Sequence, residues 1–95
     1  MKQNKAPAEK SWIVYILLCS DKSLYTGATN DVGKRLAAHS QGSASRYTRS
    51  RLPVKLLAAS AKMSKSEALR LEMKIKKLPR KKKIVALKLK TSKDV

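Results

Sequence analysis

Residues 12–28 read WIVYILLCSDKSLYTGA, and this stretch decides the fold because it predicts two adjacent β-strands. Residues 12–19 (WIVYILLC) form an unbroken apolar run of the kind expected for a buried central strand. Residues 20–23 (SDKS) have the composition of a turn, and residues 24–28 (LYTGA) form a second short strand segment. We therefore predict a hairpin over residues 12–28.

A helix and a third strand are predicted next along the chain. Asn30 is a suitable N-cap for a helix that carries Asp31 in its first turn and ends before Gly42. Residues 40–51 (SQGSASRYTRSR) are rich in Ser and basic side chains, which indicates a loop. Residues 53–59 (PVKLLAA) then predict a strand with Pro at its entry.

Two further helices are predicted in the C-terminal third of the chain. Residues 64–67 (SKSE) match a capping box, which opens a helix that runs to Leu78. Pro79 cannot continue that helix but suits the first turn of another, which we place at residues 80–89. The predicted order is β-β-α-β-α-α. The corresponding domain organisation is a disordered arm at residues 1–10, a single domain at 11–90 and a disordered tail at 91–95.

Net charge is the most unusual property of the composition. The chain has 95 residues, with 23 Lys or Arg against 6 Asp or Glu, and a formal net charge of +17. Its longest apolar run, residues 12–19, is far shorter than the roughly 20 residues that span a bilayer. A domain this basic is expected to bind a polyanion, most commonly nucleic acid, with an anionic membrane surface as the competing interpretation. A lone Cys19 excludes an internal disulfide, and the cytoplasm is the expected location.

Four side chains in the first half of the chain are candidates for chemistry. Tyr15 and Tyr25 lie on the two strands of the predicted hairpin, and Arg35 and His39 share one face of the first helix. Two core aromatics with hydrogen-bonded hydroxyls, and a solvated arginine with a surface histidine, are the alternative interpretations from position alone.

Glu72 is the most informative of the acidic residues. On a helical wheel it falls beside Ala68 and Ile75, at the edge of the predicted apolar stripe. A carboxylate in such a position should be paired or bound to a metal, because an isolated buried charge is costly. Its alternative partner is Lys76, four residues further along the helix. Glu67, in contrast, is explained by the capping box.

The order of these residues resembles the GIY-YIG nuclease superfamily, and above all its small stand-alone bacterial members. Residues 13–15 (IVY) and 25–27 (YTG) resemble the two motifs that name the superfamily. Residues 29–39 (TNDVGKRLAAH) are similar to its helix with an Arg and a His, and residues 46–49 (RYTR) to the basic loop of small members. Residues 68–76 (ALRLEMKIK) resemble the segment that contains the metal-binding Glu.

This resemblance implies an α+β fold in which helices flank a small three-stranded antiparallel sheet. It also implies an endonuclease that hydrolyses phosphodiester bonds in DNA, structured or damaged DNA included, with one divalent cation, Mg²⁺ or Mn²⁺, and no small-molecule cofactor. Glu72 would hold the metal and Tyr15 would activate the attacking water. The side chains of Tyr25, Arg35 and His39 would position or stabilise the reacting phosphate.

Contacts to the rest of the nucleic acid are expected from basic and aromatic side chains, with RNA left open as a partner and no membrane partner expected. The sequence identifies ten such residues: Lys34, Arg46, Tyr47, Arg49, Lys74, Lys77, Arg80, Lys81, Lys82 and Lys83. The oligomeric state, any protein partner and the preferred DNA structure do not follow from the sequence.

Two departures from the superfamily pattern define the alternative function. Ile13 and Val14 stand where the first motif has Gly and Ile, and no Asn follows Asn30, whereas larger members carry an Asn after the metal-binding Glu. The alternative is a basic nucleic-acid-binding protein with the same scaffold and little or no catalysis. Convergence of the five candidate side chains on one cleft would favour the nuclease. An ion pair of Glu72 with Lys76, together with tyrosine hydroxyls directed into the core, would oppose it.

Overall fold

A three-stranded antiparallel sheet forms the centre of the protein, with the first strand of the chain between the second and the third. A computed structural model describes residues 10–92, with side chains described to residue 87. The fold class and the order of the main elements are as predicted. The elements are β1 (Ile13–Leu18), β2 (Leu24–Thr29), α1 (Val32–Ser40), α2 (Arg46–Arg49), β3 (Lys55–Ala59), α3 (Lys65–Lys76) and α4 (Arg80–Ser92).

Strand β1 is buried on both of its faces, as its continuous apolar sequence predicts. Val14 and Ile16 belong to the main hydrophobic core, which also contains Ala68, Leu71 and Ile75 of α3 and Leu87 of α4. Tyr15 alternates with them and therefore points to the opposite face of the sheet. The central strand thus separates the apolar core from a face that carries polar side chains.

Tyr15 fits on this face because the residue opposite it in β2 has no side chain. Tyr15 and Gly27 are register partners in the antiparallel pair. A Cβ atom on Gly27 would lie 2.5 Å from the Tyr15 hydroxyl oxygen and 2.6 Å from its ring carbon Cζ. The glycine of the second motif therefore provides the space in which the Tyr15 ring lies.

Helix α1 begins one residue later than predicted. Its N-cap is Asp31, whose side chain accepts a hydrogen bond from the Lys34 amide, so the predicted cap at Asn30 is wrong. Thr29 holds this start in place, because its hydroxyl oxygen accepts a 3.0 Å bond from the Asp31 amide. The predicted end is confirmed: Gly42, at φ +79°, occupies the left-handed position that follows the helix.

The predicted loop at residues 40–51 is wrong in part, since it contains the short helix α2. Ser45 caps α2 by accepting a hydrogen bond from the Thr48 amide. A single helical turn is too short to show a 3.6-residue periodicity, and its stability comes from packing instead. Thr48 provides that packing, because its side chain is fully buried against α1.

Helices α3 and α4 cover the main core as predicted. The capping box forms, with Ser64 and Glu67 each accepting a hydrogen bond from the other's backbone amide. α3 ends at Lys76, two residues before the predicted Leu78. Helix α4 continues through Ser92, beyond the predicted helix at residues 80–89 and beyond the predicted domain end at residue 90. The predicted disorder of residues 1–9 and 93–95 lies outside the described residues.

Substitution of Gly27 tests the space beneath Tyr15. We expect Gly27→Ala to lower the free energy of unfolding by about 1–3 kcal/mol, because the added methyl group displaces a buried ring. Gly33→Ala in α1 is the matched control. The nearest atom that its Cβ meets is an Asp31 carboxylate oxygen at 3.8 Å, so the change should be neutral or stabilising by up to about 1 kcal/mol. Urea unfolding of both variants checks the difference, and equal stabilities would contradict it.

Candidate active site

Three aromatic side chains meet on the face of the sheet opposite the main core. The Tyr15 hydroxyl lies 3.0 Å from Nε2 of His39. The Tyr25 ring is 5.1 Å from the His39 ring and 6.4 Å from the Tyr15 ring, between centroids. Three of the five predicted catalytic and metal residues therefore lie in direct contact.

Each of these side chains is placed by its element. Tyr15 opposes Gly27 and Tyr25 opposes Leu17, so the two tyrosines are diagonal neighbours on one face of the β1–β2 pair. His39 lies in the last turn of α1, whose packing on this face buries the imidazole completely. The hairpin register and one turn of helix are enough to assemble the cluster.

Burial dominates the electrostatics of the Tyr15 hydroxyl. Desolvation raises the pKa of Tyr15 well above its ordinary value of about 10, and the nearby Tyr25 adds to the rise. The positive charge of Arg35 lowers the pKa of Tyr15, and the negative charge of Glu72 raises it. Tyr25, Arg35 and Glu72 thus act on the charge of the hydroxyl that contacts His39, and Tyr15 is protonated near neutral pH.

His39 is neutral under the same conditions. Burial lowers the pKa of His39, and the positive charge of Arg35 lowers it further. A neutral imidazole has one nitrogen that donates and one that accepts. The Tyr15 hydroxyl therefore faces a neutral imidazole, and the tautomer of His39 decides which of the two groups donates the hydrogen bond.

Glu72 is mostly buried and has a partner in the chain. Its carboxylate, 18% exposed, forms a 2.9 Å ion pair with the ammonium of Lys76, which is 54% exposed. This is the alternative partner that the sequence suggests. Within residues 10–92 there is no group of three or more His, Cys, Asp or Glu side chains able to enclose a metal ion. Any metal at Glu72 would therefore depend on one carboxylate together with water or substrate oxygens.

The ten predicted nucleic-acid contacts are not equivalent in the structure. The Lys83 ammonium donates hydrogen bonds to the carbonyl oxygens of Ile75 and Lys76 at 2.8 and 3.1 Å, and so provides donors for the last carbonyl groups of α3. Desolvation lowers the pKa of Lys83. Arg80 donates to the carbonyl of Lys22. The remaining basic residues of the set are exposed: Lys34, Arg46, Arg49, Lys74, Lys77, Lys81 and Lys82.

Tyr47 is held by a neighbour that the sequence analysis missed. The Arg51 guanidinium lies 3.8 Å from the centroid of the Tyr47 ring, and the Tyr25 ring is 6.1 Å away. Arg51 also forms a 2.9 Å ion pair with Asp21 in the hairpin turn. One face of the Tyr47 ring is therefore covered by Arg51, and the Tyr47 ring in turn lies beside the Tyr25 ring.

Thr48 is the second residue that sequence reasoning missed. Its hydroxyl oxygen lies 2.8 Å from Nδ1 of His39, and its side chain has no exposed area. The only signal was Ser45 three residues before it, which has the spacing of an N-cap. In a Ser-rich basic segment that signal is weak.

Comparisons with known proteins show the family of this chain. Residues 11–84 match the GIY-YIG catalytic domain. The chain belongs to the GIY-YIG family. A UPF0213 protein of Bacillus velezensis is 49% identical over 77% of this chain and 74% of its own length. A UPF0213 protein of Streptococcus agalactiae is 49% identical over 79% and 85%, respectively.

A solved structure supports the fold of this GIY-YIG domain. The solution NMR structure of a UPF0213 protein from Bacillus halodurans is 44% identical, covers 87% of this chain and 88% of its own, and has a TM-score of 0.51. The family resemblance inferred from the motifs is therefore confirmed. No helix among residues 10–92 combines the length and the apolar character that a membrane span requires.

The pKa of His39 provides a direct test of the site's electrostatics. We expect the imidazole to titrate below its ordinary value of about 6.5, because burial and Arg35 both disfavour its charged form. Arg35→Ala should raise the midpoint, whereas Arg35→Lys keeps the charge and should change it less. NMR titration is unambiguous because the chain contains one histidine. A wild-type midpoint above 6.5, or an unchanged midpoint in Arg35→Ala, would contradict the interpretation.

Proposed function

We propose that this GIY-YIG domain is a divalent-metal-dependent endonuclease that hydrolyses phosphodiester bonds in DNA. The observation that carries the proposal is the contact of Tyr15 with His39, in a position influenced by Arg35, Glu72 and Tyr25. Phosphodiester hydrolysis needs a nucleophile, a route for its proton and positive charge near the non-bridging oxygens. This group of side chains offers each of the three.

Glu72 is the residue that would hold Mg²⁺ or Mn²⁺. The donor chemistry fits, because Mg²⁺ commonly takes one or two carboxylates and completes its shell with water and substrate phosphate oxygens. The partner of Glu72 in the chain is the half-exposed Lys76, whose flexible side chain is able to turn into solvent. A bound divalent cation would supply positive charge next to the reacting phosphate.

Tyr15 and His39 would move the proton of the attacking water. The buried Tyr15 hydroxyl is protonated, so it accepts a proton only as it gives its own to Nε2 of His39. The water oxygen bonds to phosphorus, one phosphorus–oxygen ester bond breaks, and the departing oxygen takes a proton from solvent. Arg35, which is exposed beside this position, would bind a non-bridging oxygen through its planar guanidinium.

A second candidate function is supported by two specific observations. Glu72 forms the ion pair with Lys76, and no Asn follows Asn30 in the sequence. A basic nucleic-acid-binding protein without catalysis would need only the net charge of +17 and an exposed basic surface. The two functions differ in whether Glu72 and Arg35 are needed for anything beyond binding.

Cleavage assays on plasmid and branched DNA with Mg²⁺ or Mn²⁺ separate the two functions. We expect Glu72→Gln and Arg35→Ala to reduce the cleavage rate by at least about 100-fold. The first change removes the negative charge that would hold the metal, and the second removes the positive charge that would bind a non-bridging oxygen. Glu67→Gln is the matched control, since Glu67 serves the capping box and its amide replacement still accepts a hydrogen bond. Chelation with EDTA should abolish cleavage by the wild type.

Lack of cleavage by the wild type under all these conditions would overturn the nuclease proposal and leave the binding function. Equal rates for wild type and Glu72→Gln would exclude Glu72 as the metal ligand. DNA affinity is measured in parallel, and we expect Glu72→Gln to bind DNA as tightly as the wild type does, so that a lost rate is not a lost substrate.

The exposed start of α4 should contribute phosphate contacts. We expect the double variant Lys81→Ala/Lys82→Ala to weaken DNA binding and to reduce the slope of log K against log salt by up to about 2, one for each lost contact. Lys65→Ala is the control, because the Lys65 ammonium lies over the Trp12 ring at 5.4 Å and was not predicted to bind DNA. Fluorescence anisotropy over a series of salt concentrations measures the slopes, and equal slopes would exclude α4 from the interface.

A further inference from the structure

Thr48 is a buried polar residue whose role is not explained by packing alone. Its side chain has no exposed area, and its hydroxyl oxygen lies 2.8 Å from Nδ1 of His39 and 3.4 Å from the Ser45 carbonyl oxygen. Valine has nearly the same shape and would fill the same space without a polar atom to satisfy. The hydroxyl therefore calls for a reason in its hydrogen bonds.

His39 lies between two hydroxyl groups, one at each ring nitrogen. Tyr15 approaches Nε2 at 3.0 Å and Thr48 approaches Nδ1 at 2.8 Å. A neutral imidazole donates from one nitrogen and accepts at the other, and each hydroxyl has one proton to give. Two arrangements of the protons are therefore possible along the row from Tyr15 to Ser45.

In the first arrangement every proton has an acceptor. Tyr15 donates to Nε2, Nδ1–H donates to the Thr48 oxygen, and the Thr48 hydroxyl donates to the Ser45 carbonyl. In the second arrangement Nε2–H donates to the Tyr15 oxygen and Thr48 donates to Nδ1. The Tyr15 proton then has no acceptor among the described residues, and an unmet buried donor is costly.

We propose that Thr48 is a positioning residue that holds His39 in the Nδ1–H tautomer, so that Nε2 accepts from the Tyr15 hydroxyl. The hydrogen bond made by one imidazole nitrogen sets the protonation of the other. The catalytic meaning of this tautomer rests on the proposed function, in which Nε2 takes the Tyr15 proton. In the opposite tautomer Nε2 already carries a proton and that path is closed.

The geometry of α2 supports this role. Ser45 caps the helix through the Thr48 amide and also offers its carbonyl to the Thr48 hydroxyl. Both polar ends of Thr48 are thus tied to one residue, which fixes the direction of its oxygen toward α1. The helix is four residues long, and this pair of bonds gives it a defined orientation relative to His39.

The histidine ring nitrogens report the tautomer without any measurement of activity. In tag-free protein labelled with ¹⁵N-histidine, long-range ¹H–¹⁵N correlation distinguishes a protonated nitrogen from an unprotonated one. All signals come from His39, since it is the one histidine in the chain. We expect the wild type to show a protonated Nδ1 and an unprotonated Nε2.

Three variants separate positioning from packing. Thr48→Val keeps the shape and removes the hydroxyl, so the Nδ1–H tautomer should lose its dominance. Thr48→Ser keeps the hydroxyl and should retain it. Tyr15→Phe removes the donor at Nε2 but should leave Nδ1 protonated, because Thr48 still accepts from it. Loss of the Nδ1 proton in Tyr15→Phe would contradict the role of Thr48, and this test remains available if Thr48→Val fails to fold.

Activity provides the second readout. We expect Thr48→Val to lower kcat by about 10- to 100-fold with little change in KM, whereas Thr48→Ser should keep most of the wild-type rate. A wild-type spectrum with protonated Nε2, or a Thr48→Val spectrum identical to wild type, would overturn the role of Thr48. Absence of cleavage with the expected tautomers would instead overturn the proposed function and leave the tautomer assignment standing.

Discussion

The hydrogen bond between the Tyr15 hydroxyl and His39 depends on the missing side chain at Gly27. Gly27 is the cross-strand partner of Tyr15. A Cβ atom on Gly27 would lie 2.5 Å from the Tyr15 hydroxyl oxygen. A side chain at position 27 would displace the Tyr15 ring, and with it the hydroxyl that contacts His39 of α1. The glycine of one motif and the tyrosine of the other are therefore two parts of one packing requirement.

The fold and its motifs could be predicted because their signals are local and strong. An eight-residue apolar run at 12–19 that is rich in strand-forming residues favours a buried strand, and the Ser64–Glu67 capping box marks a helix start by its own hydrogen bonds. The spacing of Arg35 and His39 on one helix, and of the two tyrosines on one hairpin, then brings these residues to the same region. Those parts of the site follow from periodicity and register.

The remainder depends on particular hydrogen bonds of single side chains, which hydrophobic periodicity does not contain. Asp31 rather than Asn30 caps α1 because the Thr29 hydroxyl holds the Asp31 amide. Lys83 lies in a run of basic residues, which predicts a solvent-exposed charge, but its ammonium donates to the carbonyl oxygens at the end of α3. Thr48 lies in a segment with the composition of a loop, and its burial arises only when α2 docks on α1.

The burial of β1 on both faces also implies that different parts of the structure open with different ease. A central strand paired on both sides and covered on both faces is expected to exchange its amide protons only when most of the structure unfolds. We therefore expect Tyr15 to lie in the slowest-exchanging part of the described structure, whereas α2 contributes only four helical residues. In the proposed nuclease, access of DNA to the cluster is therefore expected to depend on motion of α1 and α2, while the Tyr15 hydroxyl stays in place.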